Sequence, residues 1–338
     1  MEPRRLIALL FVLASAPMAA QKPGETAPLG IALEEADYPF RVRFLPLALE
    51  GQDVRMAYMD VAPSAPSNGR SVLLLHGKNF GGDFWEGTAR SLASAGYRVV
   101  IPDQVGFGKS AKPALAYSFD LLAANTAKLL DTLGISKATV VGHSMGGLLA
   151  ARFALSFPAR TEALVLVNPI GLESYAPALP AATLERLYRD ELANTDVVKI
   201  RAFYRKYVAV WNAPLYEPFV QERTRVTLGA EYPRWAMASA LTYRMILEQP
   251  VRPEFPRIAA RTLLVIGQAD RTVVAAAYMP EEARASLGNY PELGRAAKRD
   301  IPGAKLVEVP GVGHLPPLES PGPFRAALLD FLAGGSAP

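Results

Sequence analysis

Short apolar runs alternate along this chain with longer stretches of helical periodicity. Ser71–Leu75, Tyr97–Ile101, Thr139–Val141, Ala163–Val167 and Thr262–Ile266 are almost free of polar residues, and Ala304–Val309, which carries Lys305 and Glu308, reads as the last strand. Runs of that length without polar alternation predict strands buried on both faces, as in a parallel sheet. Between them the pattern predicts helices: one running to about Ala95 with Asp83 placed to cap it, then Phe119–Leu133, Leu148–Phe157, one or two within 275–300, and a closing helix over Phe324–Leu332. Ahead of all these, Arg41–Leu49 and Val54–Val61 read as two strands joined at Glu50–Asp53, a hairpin. Strand-helix alternation of this kind predicts an α/β chain: a mostly parallel twisted sheet with right-handed crossovers and helices on both faces.

The alternation stops at Glu173 and resumes near Pro253. In between lie helical stretches rich in large aromatics, among them Tyr188, Phe203, Tyr204, Tyr207, Trp211 and Tyr243. The expected organisation is therefore a core of 37–172 and 254–338 with a helical cap inserted over 173–253. Residues 1–20 read as a secretory signal: Arg4 and Arg5, then the apolar run Leu6–Leu13, then small residues to Ala20. Pro17 hinders a cut after Ala16, so cleavage after Ala20 is preferred; an uncleaved anchor is the alternative, although the run is short for a span. Residues 21–36, rich in Pro, Gly, Ala and Glu, read as a mobile leader. A secreted or periplasmic location follows from those first twenty residues alone.

Composition narrows the chemistry. At 338 residues with 50% hydrophobic and 20% charged content, this is an ordinary globular chain. The formal charge of +4 is scattered among acids rather than gathered with aromatics, which argues against a nucleic-acid partner. There is no cysteine, so disulfides, thiolate catalysis and a cysteine-based metal site are excluded. There are three histidines, His76, His143 and His314, and any imidazole-dependent mechanism must draw on them.

Gly142-His143-Ser144-Met145-Gly146 is a G-x-S-x-G between a predicted strand and a predicted helix, the context that exposes a serine on a sharp, strained turn. A serine needs a base. His314 lies after the last strand, whereas His143 should point away from its neighbour and His76 reads as a residue that shapes its loop. Asp270, ending the strand before the last, is the expected acid, with Glu173 as the fallback. Oxyanion donors are expected from the backbone of Met145 and of Lys78, with Asn79 the second choice to Lys78. The glycine-rich loop Asp103–Ser110 lacks the spacing of a phosphate cradle and reads as a turn.

Taken in order, Leu75-His76-Gly77, Asp103-x-x-Gly106-x-Gly108-x-Ser110, Gly142-His143-Ser144-Met145-Gly146-Gly147, Gly267-Gln-Ala-Asp270 and Gly313-His314 resemble the α/β-hydrolase superfamily, in its capped esterase, C–C hydrolase and haloperoxidase-like branch. The resemblance spans roughly residues 40–333. It implies a Ser144–His314–Asp270 triad under the cap, with no metal and no organic cofactor. Serine at the nucleophile position argues against the aspartate-dependent epoxide hydrolases and haloalkane dehalogenases. One departure is the long stretch between Asp270 and His314, where Tyr278–Lys298 is extra and could shape the entrance or an interface. The expected activity is hydrolysis of an ester-like carbonyl in a small molecule, in part apolar or aromatic. Alternatives are a C–C bond hydrolase, a proline-type aminopeptidase (which usually has Trp where this chain has Met145), and a slow-turnover binding or receptor-like protein that keeps the triad.

Overall fold

The computed structural model describes residues 27–334, so the expected signal segment and its cleavage point lie outside the described residues. Among the described residues eight strands form one sheet: β1 (Val42–Leu49), β2 (Gln52–Val61), β3 (Ser71–Leu75), β4 (Arg98–Pro102), β5 (Ala138–His143), β6 (Thr161–Val167), β7 (Arg261–Gly267) and β8 (Lys305–Val309). Their spatial order is β1-β2-β4-β3-β5-β6-β7-β8. The β1–β2 and β2–β4 pairs are antiparallel, and every later pair is parallel. The hairpin turn is tighter than the sequence suggests. β2 begins at Gln52, leaving Glu50 and Gly51 with φ of 46° and 73°, the positive pair of a two-residue turn.

Eleven α-helices accompany the strands among the described residues. On the core they are α1 (Glu86–Ser94), α2 (Phe119–Thr132) and α3 (Met145–Ser156). Between β6 and β7 come α4 (Leu184–Leu192), α5 (Val197–Arg205), α6 (Ala213–Thr227) and α7 (Tyr232–Glu248), with no strand among them, and these form the cap. The core resumes with α8 (Glu281–Ala285), α9 (Tyr290–Asp300), α10 (Pro316–Glu319) and α11 (Pro321–Ala333). No helix among the described residues is long and apolar enough to cross a membrane.

The unbroken apolar strands serve two cores at once. Leu73, Leu75, Val140, Leu164 and Leu264 face one layer with α2, α3 and α9. Their neighbours Val72, Leu74, Val141, Val165 and Leu263 face the other, against Trp85, Leu92, Phe324 and Phe331. Alternation of side chains along a strand requires this division when both faces are covered.

Two local expectations need correction. Asp83 does not cap α1: the chain enters that helix through a 3-10 turn, Gly82–Trp85, and Asp83 lies inside the turn. Residues 27–36, part of the expected mobile leader, are packed in place. Leu29 and Leu33 bury themselves against Val226, Tyr232 and Ala236 of the cap. Leu29 N–H also donates to the Arg225 carbonyl at 3.1 Å. Composition points to mobility, but two leucines four residues apart present one apolar edge, and the cap offers the matching face.

Candidate active site

Ser144 connects β5 to α3 with φ 56° and ψ −120°, a region that side chains other than glycine avoid. The glycines around it are sterically required. A Cβ on Gly146 would stand 2.6 Å from the His76 carbonyl oxygen, and one on Gly147 would stand 2.6 Å from Pro169 Cβ. The strained residue is held by Ser144 N–H donating to the Val167 carbonyl at 3.1 Å.

The three predicted side chains converge from three strand ends. Ser144 Oγ lies 2.9 Å from His314 Nε2, and His314 Nδ1 lies 2.6 Å from Asp270 Oδ2. All three are buried. Burial alone would raise the Asp270 carboxyl, but the His314 charge and the hydrogen bonds from His314 and Thr272 outweigh it and hold the group below its ordinary range. Glu173 is elsewhere: its carboxylate accepts from Gly288 N–H at 2.9 Å, and burial raises it.

The structure adds residues the sequence pattern does not single out. Asn168, with φ 38°, donates from Nδ2 to Asp270 Oδ2 at 2.8 Å and accepts from Gly267 N–H at 2.9 Å, so it fixes the acid to the end of β7. Glu319 accepts from Gly313 N–H, Leu315 N–H and Ala209 N–H at 3.0, 2.9 and 2.8 Å, tying both sides of His314 to the cap. Tyr207, just beyond α5, accepts from His314 N–H at 2.6 Å through its carbonyl. Its hydroxyl accepts from Asn79 Nδ2 at 2.8 Å. A polar residue at a strand end and a tyrosine in a cap give no local signal of such partners.

The other two histidines stay neutral supports. His143 Nε2 donates to the His314 carbonyl at 2.8 Å, its ring stacks on Phe84 at 4.7 Å, and burial with the nearby His314 charge pushes it well below its ordinary value. His76 donates from Nδ1 to the Gly77 carbonyl at 2.8 Å and accepts from Gln104 N–H at 3.1 Å, and its burial lowers it.

Gly77 brings the loop after β3 against the serine: a Cβ there would stand 3.1 Å from Ser144 Cβ. Among the described residues, neither Met145 N–H nor Lys78 N–H donates to a protein acceptor. The Lys78 side chain turns instead toward α7. Its ammonium donates to the Ser239 carbonyl and hydroxyl, both at 2.9 Å, and burial lowers it to about 8. A cavity of about 780 Å³ opens over Ser144. Cap aromatics Phe203, Tyr204, Tyr207 and Tyr243 form part of its wall, while Tyr188, Tyr216, Phe219 and Trp235 lie off it. Tyr278 and Arg284, in the stretch between Asp270 and His314, line it too.

Comparison with known proteins agrees with this architecture. Residues 70–321 match the family described as alpha/beta hydrolase fold. A 2-hydroxy-6-oxononadienedioate/2-hydroxy-6-oxononatrienedioate hydrolase of Comamonas testosteroni is 30% identical over 278 residues, covering 79% of this chain and 89% of the relative. A 2-hydroxy-6-oxo-6-phenylhexa-2,4-dienoate hydrolase of Burkholderia cepacia is 29% identical over 272 residues, with coverage of 79% and 89%. Among solved structures, one described as a probable hydrolytic enzyme of Pseudomonas aeruginosa superposes with a TM-score of 0.88 at 46% identity, covering 91% of this chain and 99% of that one. With the sheet order, the strained serine turn and the matched span together, the chain belongs to the alpha/beta hydrolase fold family.

Proposed function

We propose that this protein is a serine hydrolase that cleaves an ester-like carbonyl through an acyl-enzyme. The observation that carries this is the unbroken hydrogen-bond path Ser144 Oγ–His314 Nε2 and His314 Nδ1–Asp270 Oδ2, set beside two unengaged backbone donors. Ser144 Oγ attacks the carbonyl carbon while His314 Nε2 takes the hydroxyl proton. Asp270 stabilises the imidazolium, and the N–H groups of Met145 and Lys78 receive the oxyanion. His314 then returns its proton to the leaving group, and a water activated by the same imidazole releases the acid. The aromatic wall favours a substrate that is apolar or aromatic in part.

A second reading is hydrolysis of a carbon–carbon bond next to a ketone, which the names of the Comamonas and Burkholderia relatives favour. Labelling of Ser144 by a fluorophosphonate probe, with loss of p-nitrophenyl ester turnover in Ser144→Ala, is the expected result for either bond. Folded protein that neither labels nor turns over esters would overturn the hydrolase and leave a binding role. Decay of a 2-hydroxy-6-oxo-dienoate chromophore faster than ester turnover would move the assignment to carbon–carbon cleavage. We also propose export directed by residues 1–20, checked by N-terminal sequencing of the mature protein, where a start at Gln21 is expected and a retained Met1 would overturn it.

A further inference from the structure

Four cations stand exposed around the mouth of the cavity: Lys199 and Lys206 on α5 and its C-terminal cap, Arg271 after β7, and Arg284 in α8. The two acids of the lining, Asp190 and Glu191, are already engaged. Asp190 lies 3.7 Å from Arg186 and accepts from the Tyr278 hydroxyl at 3.0 Å. Glu191 pairs with Arg223 and accepts from Ser239 Oγ at 2.7 Å. Among the described residues none of the four mouth cations is within ion-pair distance of a carboxylate. Over the whole chain 36 basic residues face 32 acidic ones, so this imbalance is a property of the mouth and not of the surface at large.

Arg271 is held in place: its guanidinium donates to the Gln268 and Asp270 carbonyls at 3.1 and 2.6 Å, bonds that fix it without neutralising it. The lining also holds apolar Ile170, Leu187, Ile246 and Val273, with Lys78 bound to Ser239 and Arg223 paired with Glu191, and the buried Ser144 is part of it. A cleft of one sign with low-dielectric walls concentrates field lines and raises the local concentration of the opposite charge.

We infer that the substrate is an anion: a carbonyl for Ser144, an apolar middle, and a negatively charged group held at the cationic mouth by Lys199, Lys206, Arg271 and Arg284. This rests on the hydrolase reading. Attraction of this kind acts on capture, so it appears in KM and kcat/KM and leaves kcat nearly unchanged. Salt weakens it, since charges more than about 8 Å apart are screened at physiological ionic strength.

The test compares mono-p-nitrophenyl suberate with its neutral methyl ester, which presents the same reacting carbonyl on a chain of the same length. At low ionic strength kcat/KM for the anion is expected to exceed that for the neutral ester by about tenfold. The advantage should collapse in 0.5 M salt, where the Debye length is only about 4 Å. Lys199→Gln combined with Arg284→Gln should lower the anion-to-neutral ratio, with an unchanged thermal midpoint showing that the fold is intact. An anionic ester no better than the neutral one at low salt, or a ratio indifferent to salt and to the double substitution, overturns the inference and leaves the hydrolase standing. Failure to turn over either ester overturns the inference, and if Ser144 also fails to label with the fluorophosphonate probe the hydrolase reading falls with it.

Discussion

Asp270 and Asp83 are both drawn out of water by the fold, and the fold treats them in opposite ways. Asp270 has His314 and Asn168 at one oxygen and Thr272 N–H at the other, and it stays below its ordinary range despite burial. Asp83 has one oxygen sealed from solvent with no hydrogen-bond partner. Burial first, and the charge of Asp103 second, push it up toward the protonated form. Glu222, on α6 of the cap, is raised by burial and by the same two carboxylates. Asp103, at the centre of that group, takes the donors: Gly82 N–H at 2.6 Å, Lys109 N–H at 2.7 Å and the Tyr38 hydroxyl at 2.9 Å. Burial is common to both places, so what decides the charge is how many donors the surrounding backbone aims at each oxygen.

The two places therefore respond to pH with opposite signs. A lowered carboxyl such as Asp270 contributes stability above its unfolded pKa, and that contribution disappears as pH falls through the lower folded value. The raised pair, Asp83 and Glu222, contributes nothing unfavourable while protonated. Its cost grows as pH rises from the ordinary carboxylate range through the raised folded values.

Four substitutions sharpen this contrast. Asp270→Asn leaves a hydrogen-bonding group of the same shape without charge, and kcat should fall about ten-thousand-fold, measured on a p-nitrophenyl ester. A loss below tenfold would mean that the charge of Asp270 is not what the imidazole needs. Asn168→Ala keeps the acid and removes its side-chain donor, so kcat should fall about tenfold, with the acid limb of the pH-rate profile displaced upward. Asp83→Asn should raise the thermal midpoint by about 2 °C at pH 8 and leave it unchanged at pH 5. An equal shift at both pH values would break the assignment of a raised carboxyl. Tyr207→Phe removes the acceptor of Asn79 but keeps the carbonyl bound to His314, and kcat should change by less than about threefold.

The sheet and the converging side chains were legible in the sequence because each leaves a local mark. A strand buried on both faces must be apolar throughout, as Ala163–Val167 is, and a serine on a strained turn needs glycine where the neighbouring backbone passes within contact. What holds those side chains was not legible. Asn168 reaches a residue 102 positions away, Tyr207 reaches Asn79 across 128, and Glu319 reaches Ala209 across 110. No spacing rule links such partners: Asn168 meets Asp270 because β6 and β7 lie side by side in the sheet, and the other two pairs meet only where the cap lies over the core. The packed segment around Leu29 and Leu33 failed to announce itself for a similar reason. Its own composition is that of a loose tail, and its apolar face acquires meaning only beside Val226, Tyr232 and Ala236.

The bond from His314 N–H to the Tyr207 carbonyl has an engineering consequence. Loop grafting and chimera building treat an inserted roof as an exchangeable module, to be swapped for a new substrate range while the machinery below is left alone. Here the module is wired into the machinery, since the peptide that presents the imidazole is anchored on the insert itself. A donor insert from another protein must supply a carbonyl at that point, along with an amide for Glu319, before its altered wall can be judged.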